Sequence, residues 1–256
     1  MQMETMARTA APRLGLCDRV GYSPAVERLG TLLRCEVDET VYHCEDEAQY
    51  WYRLVTGAAR KCALSADGRR QIVDFLLPGD LFGFGAHATH HFSAEVIVRG
   101  TIVARYPRHG VERLAESDPQ VARWIRESAF ESISRLQTRM LILGRASALA
   151  RVSAFLLEWT GRCSPTPHSA VTLPMSRYDI ADYLAMAVET VSRALTVLRE
   201  RRVIALHGTR RLSICDRQAL ESVTEGLDSA GTELETFGRC SRYGPDLFLA
   251  SRTPVR

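Results

Sequence analysis

Between Val37 and Arg108 the apolar residues come in short runs, cut every ~10 residues by turn formers. The breaks are Thr56-Gly57, Ala66-Asp67-Gly68, Pro78-Gly79-Asp80, Gly83, Gly85 and Arg99-Gly100. The run Gln71-Ile72-Val73-Asp74-Phe75-Leu76-Leu77 is rich in β-formers and enters Pro-Gly-Asp, the chemistry of a type I or type II turn. About seven or eight such strands fit, which predicts a small antiparallel β-roll. After Asp118-Pro119, a helix start, the period changes. Ala129, Ile133, Leu136, Met140 and Leu143 follow at alternating steps of four and three, flanked by Arg126, Glu127, Glu131, Arg135 and Arg139. This predicts a helix from Pro119 to near Gly144 with a narrow apolar seam. Such a seam suits pairing with a second copy, and an amphipathic helix packed on its own roll would show the same spacing.

A further helix is expected over Ser147 to Thr160, carried by Leu149, Val152, Phe155, Leu156 and Trp159 and ending at Gly161. The loop Arg162 to His168 contains Pro165 and Pro167, Val171-Thr172-Leu173 reads as a brief strand, and Arg217 to Leu227 as a short helix. The chain then divides into a flexible start (1–21), the roll (22–118), the long helix (119–145), a C-terminal domain (146–217), and a short helix with a tail (218–256). The class is α+β.

Composition narrows the function. With 46% apolar and 25% charged residues over 256 positions, a packed core needs no disulfide or structural metal. No apolar run reaches the ~18 residues of a membrane span, and Met1 to Arg13 lack the apolar stretch of a signal peptide, so a cytoplasmic protein without membrane contact is expected. Seven scattered cysteines (Cys17, Cys35, Cys44, Cys62, Cys163, Cys215 and Cys240) form no C-x-x-C pair, which fits reduced thiols and gives no support to a metal or cluster. His87, His90 and His91 are expected as surface histidines of a roll loop. The net charge of +3 hides an asymmetry: Arg145 to Cys215 hold ten Arg and five Asp or Glu, an excess of +5, pointing to a polyanion partner for that half. No nucleophile with its base and no phosphate-cradling glycine loop followed by Lys is present, so an enzyme is not expected.

Within the basic half, Ser176 followed at the third position by Asp179 makes a capping box that starts a helix running to Leu184. The turn Ala185-Met186-Ala187 precedes a second helix from Val188 to near Arg201. Ile180, Ala181 and Leu184 on one helix face Val191, Ala194, Leu195 and Leu198 on the other, the pattern of a helix-turn-helix. On the outer side Glu189, Ser192 and Arg193 share a stripe with Thr196. Arg can bond guanine O6 and N7, Glu can accept from a cytosine amino group, and Ser can meet a thymine edge. A solvated face with an ordinary Glu189–Arg193 ion pair has the same spacing. Val203-Ile204-Ala205-Leu206, His207-Gly208-Thr209 and Leu212-Ser213-Ile214 then read as two strands around a glycine turn, a wing. Arg199, Arg201, Arg202, Arg210 and Arg211 bracket it where phosphates would lie.

The segments Ser176-Arg177-Tyr178-Asp179-Ile180-Ala181-Asp182-Tyr183-Leu184, Val188-Glu189-Thr190-Val191-Ser192-Arg193 and Val203-Ile204-Ala205-Leu206-His207-Gly208 resemble those of the CRP/FNR bacterial transcription regulators, and the likeness extends to Pro-Gly-Asp-Leu-Phe-Gly in the roll. The resemblance implies a jelly-roll sensor like that of cyclic-nucleotide-binding proteins, a dimerisation helix, and a winged helix-turn-helix that binds double-stranded DNA as a homodimer and recruits RNA polymerase. It implies base reading by Val188, Glu189, Ser192 and Arg193, and backbone contacts by Ser176, Arg177, Thr190, Thr196, Arg199, Arg210 and Arg211. Ala129, Ile133, Leu136, Met140 and Leu143 would form the dimer seam.

Departures from the family pattern mark a branch. Cyclic-AMP receptors carry Arg where this chain has Val188, and they hold the ligand with a Glu and an Arg where Phe84 and Phe92 stand here. Phenylalanine cannot neutralise a phosphate. The closely spaced N-terminal cysteines that hold the FNR cluster are also missing. The resemblance therefore points to the FixK-like branch: an activator without cofactor, governed mainly by its own abundance, in microaerobic, anaerobic or nitrogen-related metabolism, reading a palindrome close to TTGAT-N4-ATCAA. The alternatives are a family member whose roll senses a ligand, haem or redox state, and a cyclic-nucleotide module.

Overall fold

The computed structural model describes residues 24–64, 70–163 and 169–225. The expected N-terminal segment at 1–21, the turn Ala66-Asp67-Gly68, Pro165, Pro167, Cys17, Cys240 and the tail from Asp228 lie outside the described residues. After a short helix α1 (Pro24–Glu27), eight strands follow: β1 (Thr31–Cys35), β2 (Thr40–Tyr42), β3 (Tyr50–Thr56), β4 (Ala59–Leu64), β5 (Arg70–Leu76), β6 (Leu81–Phe82), β7 (Ser93–Val96) and β8 (Thr101–Pro107). They form two antiparallel four-stranded sheets, ordered β1-β8-β3-β6 and β2-β7-β4-β5. Tyr42, Tyr52, Leu54, Phe82, Val96 and Val103 make the apolar filling of this roll. The roll architecture is the expected one, with an extra strand, β1, ahead of Val37. As an edge strand paired with β8 it leaves Leu32 exposed, so it shows no clean alternation.

Two glycines have defined tasks. Gly79 sits at φ 97 with Asp80 N–H bonded to Leu77 O at 3.0 Å, which makes Pro-Gly-Asp a type II turn. Gly57, at φ 87, lies so close to Thr101 that a Cβ there would overlap its hydroxyl.

The chain leaves the roll through α2 (Arg108–Ser117), a helix the strand-like reading did not anticipate, and α3 (Pro119–Leu143). Asp118 separates them: its carboxylate accepts from Gln120 N–H at 2.9 Å, and Pro119 occupies the first turn, where no donor is needed. Val111, Val121 and Trp124 pin both helices onto Trp51, Leu81 and Tyr106. Helix α4 (Ala148–Cys163) runs past Gly161, two residues beyond the expected stop, because Arg162 is anchored by Asp80 at 2.8 Å. The remaining elements are β9 (Val171–Thr172), α5 (Arg177–Leu184), α6 (Val188–Glu200), β10 (Ile204–Leu206), β11 (Arg211–Ile214) and α7 (Arg217–Glu225). β10, β11 and β9 form a small antiparallel sheet. No helix among the described residues is long and apolar enough to cross a membrane.

The roll and the C-terminal domain share a core. Phe75 of β5 meets Tyr183 of α5 (5.1 Å between ring centres) and Trp159 of α4 edge-on (6.0 Å). Beside them lies a buried charge cluster. Asp74 and Asp80 take Arg135 from α3 at 3.0 and 3.5 Å, and Arg162 from α4 reaches Asp80 at 2.8 Å.

Candidate nucleic-acid interface

Helix α5 begins as its capping box dictates. Ser176 Oγ accepts from Asp179 N–H at 3.1 Å, and Asp179 Oδ2 accepts from Ser176 N–H at 2.8 Å and from its hydroxyl at 2.7 Å. The turn is made by Ala185 in the left-handed region (φ 52, ψ 54), a conformation that costs a non-glycine residue about 1 kcal/mol and is held here by the packed helices on both sides. Ile180, Ala181 and Leu184 are buried against Val191, Ala194, Leu195 and Leu198, all seven as the apolar pattern requires.

That packing turns the opposite face of α6 outward. Glu189 and Arg193 are exposed and Ser192 is half-buried between them. No ion pair joins Glu189 to Arg193 among the described residues, so both side chains face solvent with their bonding capacity open. Val188 and Thr190 are half-buried at the helix start, and Thr196 donates its hydroxyl proton to Ser192 O at 3.0 Å. Ala187 gives α6 no side-chain cap, which leaves first-turn amides available to an anion. Arg177 reaches across from α5 and donates to Ser192 Oγ at 3.3 Å, a juxtaposition of two helices that spacing along the sequence could not reveal. Arg199, Arg210 and Arg211 are exposed, the last two on the wing, where β10 and β11 turn through Gly208 at φ 77.

On α3 the apolar seam is uncovered. Ile133, Leu136 and Met140 are 49, 37 and 72% exposed, and Ala129 and Leu143 are half-buried. Phe130 and Leu141, 61 and 68% exposed, belong to the same open surface. They sit next to seam positions in sequence, and a strict four-three count skips them.

Comparison with known proteins bears on the same segments. A family model described as "Crp-like helix-turn-helix domain" matches residues 150–223, and one described as "Cyclic nucleotide-binding domain" matches residues 32–118. The "Nitrogen fixation regulation protein FixK" of Azorhizobium caulinodans is 40% identical over 198 residues, 76% of this chain and 79% of that protein. The chain belongs to the CRP/FNR family of transcription regulators. The "Transcriptional activatory protein AadR" of Rhodopseudomonas palustris is 37% identical over 199 residues, 75% of this chain and 82% of that protein. The solved structure of FixK2 from Bradyrhizobium japonicum is similar with a TM-score of 0.70 and 39% identity, covering 79% of this chain and 99% of that one. As a CRP/FNR regulator the protein is a DNA-binding transcription factor and not an enzyme.

The roll of this CRP/FNR regulator contains a cavity of about 250 Å³ lined by Tyr42, Lys61, Phe84, His87, His91 and Phe92, among others. Phe84 and Phe92 are both in its wall. Phe84 packs edge-on against Trp51 (6.2 Å), and Phe92 lies under the Lys61 ammonium at 5.4 Å. Lys61, the chain's one lysine, is thus a cation in the wall of this cavity, and burial holds its pKa below the ordinary value. The three histidines differ. His87 and His91 are exposed, with ring centres 4.2 Å apart. His90 corrects the expectation of a surface residue: it is 7% exposed and stacks on Tyr42 with ring centres 3.8 Å apart. Burial lowers its pKa, partly countered by Asp46. Among the described residues no group of three His, Cys, Asp or Glu is placed to hold a metal ion. Desolvation pushes the thiols of buried Cys62 and half-buried Cys163 up to about 12 and about 11, which keeps both as unreactive thiols.

Proposed function

We propose that two copies of this regulator pair along α3 and read a palindrome close to TTGAT-N4-ATCAA, activating transcription through contact with RNA polymerase. The observation that carries the reading is the outer face of α6, where Glu189 and Arg193 stand open on either side of Ser192. In this reading Arg193 donates to the guanine of each half-site, Glu189 accepts from a cytosine amino group, Ser192 meets a thymine, and Val188 leaves the neighbouring base to apolar contact. Arg177, Thr190, Arg199, Arg210 and Arg211 take the phosphates, and Ser176 and Thr196 join them by exchanging their hydroxyl bonds to Asp179 and Ser192 O for a phosphate oxygen. The uncovered surface on α3 supports the pairing: of Ala129, Ile133, Leu136, Met140 and Leu143, with Phe130 and Leu141, the most exposed (Met140, Leu141 and Phe130) each gain up to about 1.5–3 kcal/mol on burial, and the half-covered ones gain correspondingly less. The domain boundaries of the sequence reading (22–118, 119–145 and 146–217) assign sensing, pairing and DNA contact to successive parts of the chain. The FixK relatives are named for nitrogen fixation, which supports a role in nitrogen-related or low-oxygen metabolism, in the cytoplasm.

Selection from a random DNA pool tests the assignment. The wild-type chain should enrich a motif with a TTGA core. Arg193→Ala should lose about 1–3 kcal/mol per half-site and its discrimination at the guanine. A motif lacking that core, or an undiminished preference for the guanine in the variant, removes α6 from base reading.

A second reading rests on the roll cavity. Lys61 beside Phe84 and Phe92 suits a small anionic ligand with a flat apolar body, and no arginine is among the lining residues to fork onto a cyclic phosphate. Calorimetry with cyclic AMP and cyclic GMP should show no binding, and the absorption spectrum of freshly purified protein should show no haem or cluster band.

A further inference from the structure

Asp179 has two carboxylate oxygens with different partners. Oδ2 closes the capping box with Ser176. Oδ1 faces the roll, where it accepts from Arg60 Nη1 at 2.8 Å and Arg70 Nη2 at 3.1 Å. Arg70 also forks onto Asp182, one turn along α5, through Nε at 3.1 Å and Nη2 at 3.0 Å, and Gln71 Nε2 donates to the Asp182 carbonyl. Arg60 is held on the roll by Glu95, its Nε donating at 2.7 Å. The pair is well shielded, the Arg60 and Asp179 side chains being 11 and 6% exposed. At the other end of α5, Arg139 of α3 donates to Tyr183 O at 3.2 Å and stacks on its ring at 5.0 Å. The first helix of the helix-turn-helix is therefore gripped at both ends, by the β4–β5 hairpin near its start and by the long helix near its finish. Two attachment points remove the rotation that one would allow. The grip leaves Glu189 and Arg193 exposed, so it does not mask the reading face.

Buried ion pairs contribute little net stability, because desolvation cancels much of their attraction, and their best-attested use is to select one arrangement among several. Resting on the dimeric reading above, we propose that Arg60 and Arg70 are positioning residues for DNA recognition. They fix the angle of each helix-turn-helix on its roll, so that the two recognition helices of a dimer present themselves at one spacing. A dimer with loosely held heads would still bind each half-site but would lose the avidity of simultaneous engagement.

The test compares full-length wild type with Arg60→Ala/Arg70→Ala and with Arg70→Lys, which keeps the charge but cannot fork onto both aspartates. Each protein is titrated against a single half-site and against palindromes whose spacers differ by one or two base pairs, with sedimentation run in parallel. The double variant should hold its half-site affinity within about twofold, lose about tenfold or more on the preferred palindrome, and discriminate less between spacers; Arg70→Lys should fall between. Unchanged palindrome affinity and spacer preference in a variant that remains a dimer would overturn the positioning role while leaving the dimeric reading intact. An equal loss on half-site and palindrome would also overturn it, because that marks a damaged domain. A wild-type protein without spacer preference would overturn both.

Discussion

At the scale of single residues, environment decides what a side chain does. Asp80 was visible as the third residue of a Pro-Gly-Asp turn, and it does accept from Leu77 N–H at 2.8 Å. What the sequence could not display is that its carboxylate is buried and also receives Arg162 and Arg135, from helices 82 and 55 positions away. His90 makes the same point among three neighbouring histidines. Burial opposes its imidazolium and holds its pKa below the ordinary value. The folded pKa therefore lies below the unfolded value of about 6.5, the unfolded chain binds the proton first, and stability is lost as pH falls through and below that value. His90→Phe keeps the stack on Tyr42 and removes the titration. Its urea midpoint should fall less between about pH 7 and pH 5.5 than that of the wild type, and an equal fall in both would show that His90 is already solvated in the native state.

At the scale of elements, periodicity was informative where one face meets solvent and the other a core. The two helices of the helix-turn-helix, the wing and the long helix all follow from such alternation, and the capping box at Ser176 marks the start of α5 within one residue. The pattern was weaker where contacts come from elsewhere. α2 follows the last strand with Val111 as its one buried residue, and α4 passes Gly161 because Arg162 is tied to the roll. On α3 the spacing left open whether the seam packs on the roll or on a second copy. Its exposure favours the second copy, since monomeric proteins rarely leave so continuous an apolar surface in water. Ile133→Glu with Leu136→Glu should yield monomers in sedimentation and drop the affinity for the palindrome to the non-specific range, about 1–100 µM at physiological salt. A dimer that persists in this variant would place the pairing surface off this seam.

For the whole molecule, the roll-and-helix-turn-helix plan was legible, and the joint between its parts was not. Phe75, Arg60 and Arg70 belong by sequence to the roll, yet their partners lie in α4 and α5. No local pattern encodes contacts between segments about eighty to 120 positions apart in the chain. Charge is also organised at this scale: α6 is balanced, Arg193 and Arg199 against Glu189 and Glu200, the stretch from Arg201 to Cys215 around the wing carries four arginines and no acidic residue, and Arg135 and Arg162 are neutralised by Asp74 and Asp80. Only the displayed arginines can release counterions from DNA. Each phosphate contact contributes about 0.9 to the slope of log K against log salt, and a twofold dimer makes every contact twice. Arg210→Ala should therefore lower the slope by about 1.8 and weaken operator and random DNA by the same factor. Arg193→Ala, whose proposed partner is a base edge, should change the slope less and the operator-to-random ratio more. Titrations at several salt concentrations measure both quantities at once. If Arg210→Ala lowers the operator-to-random ratio as strongly as Arg193→Ala does, the wing reads sequence, and the division of labour between α6 and the wing is wrong.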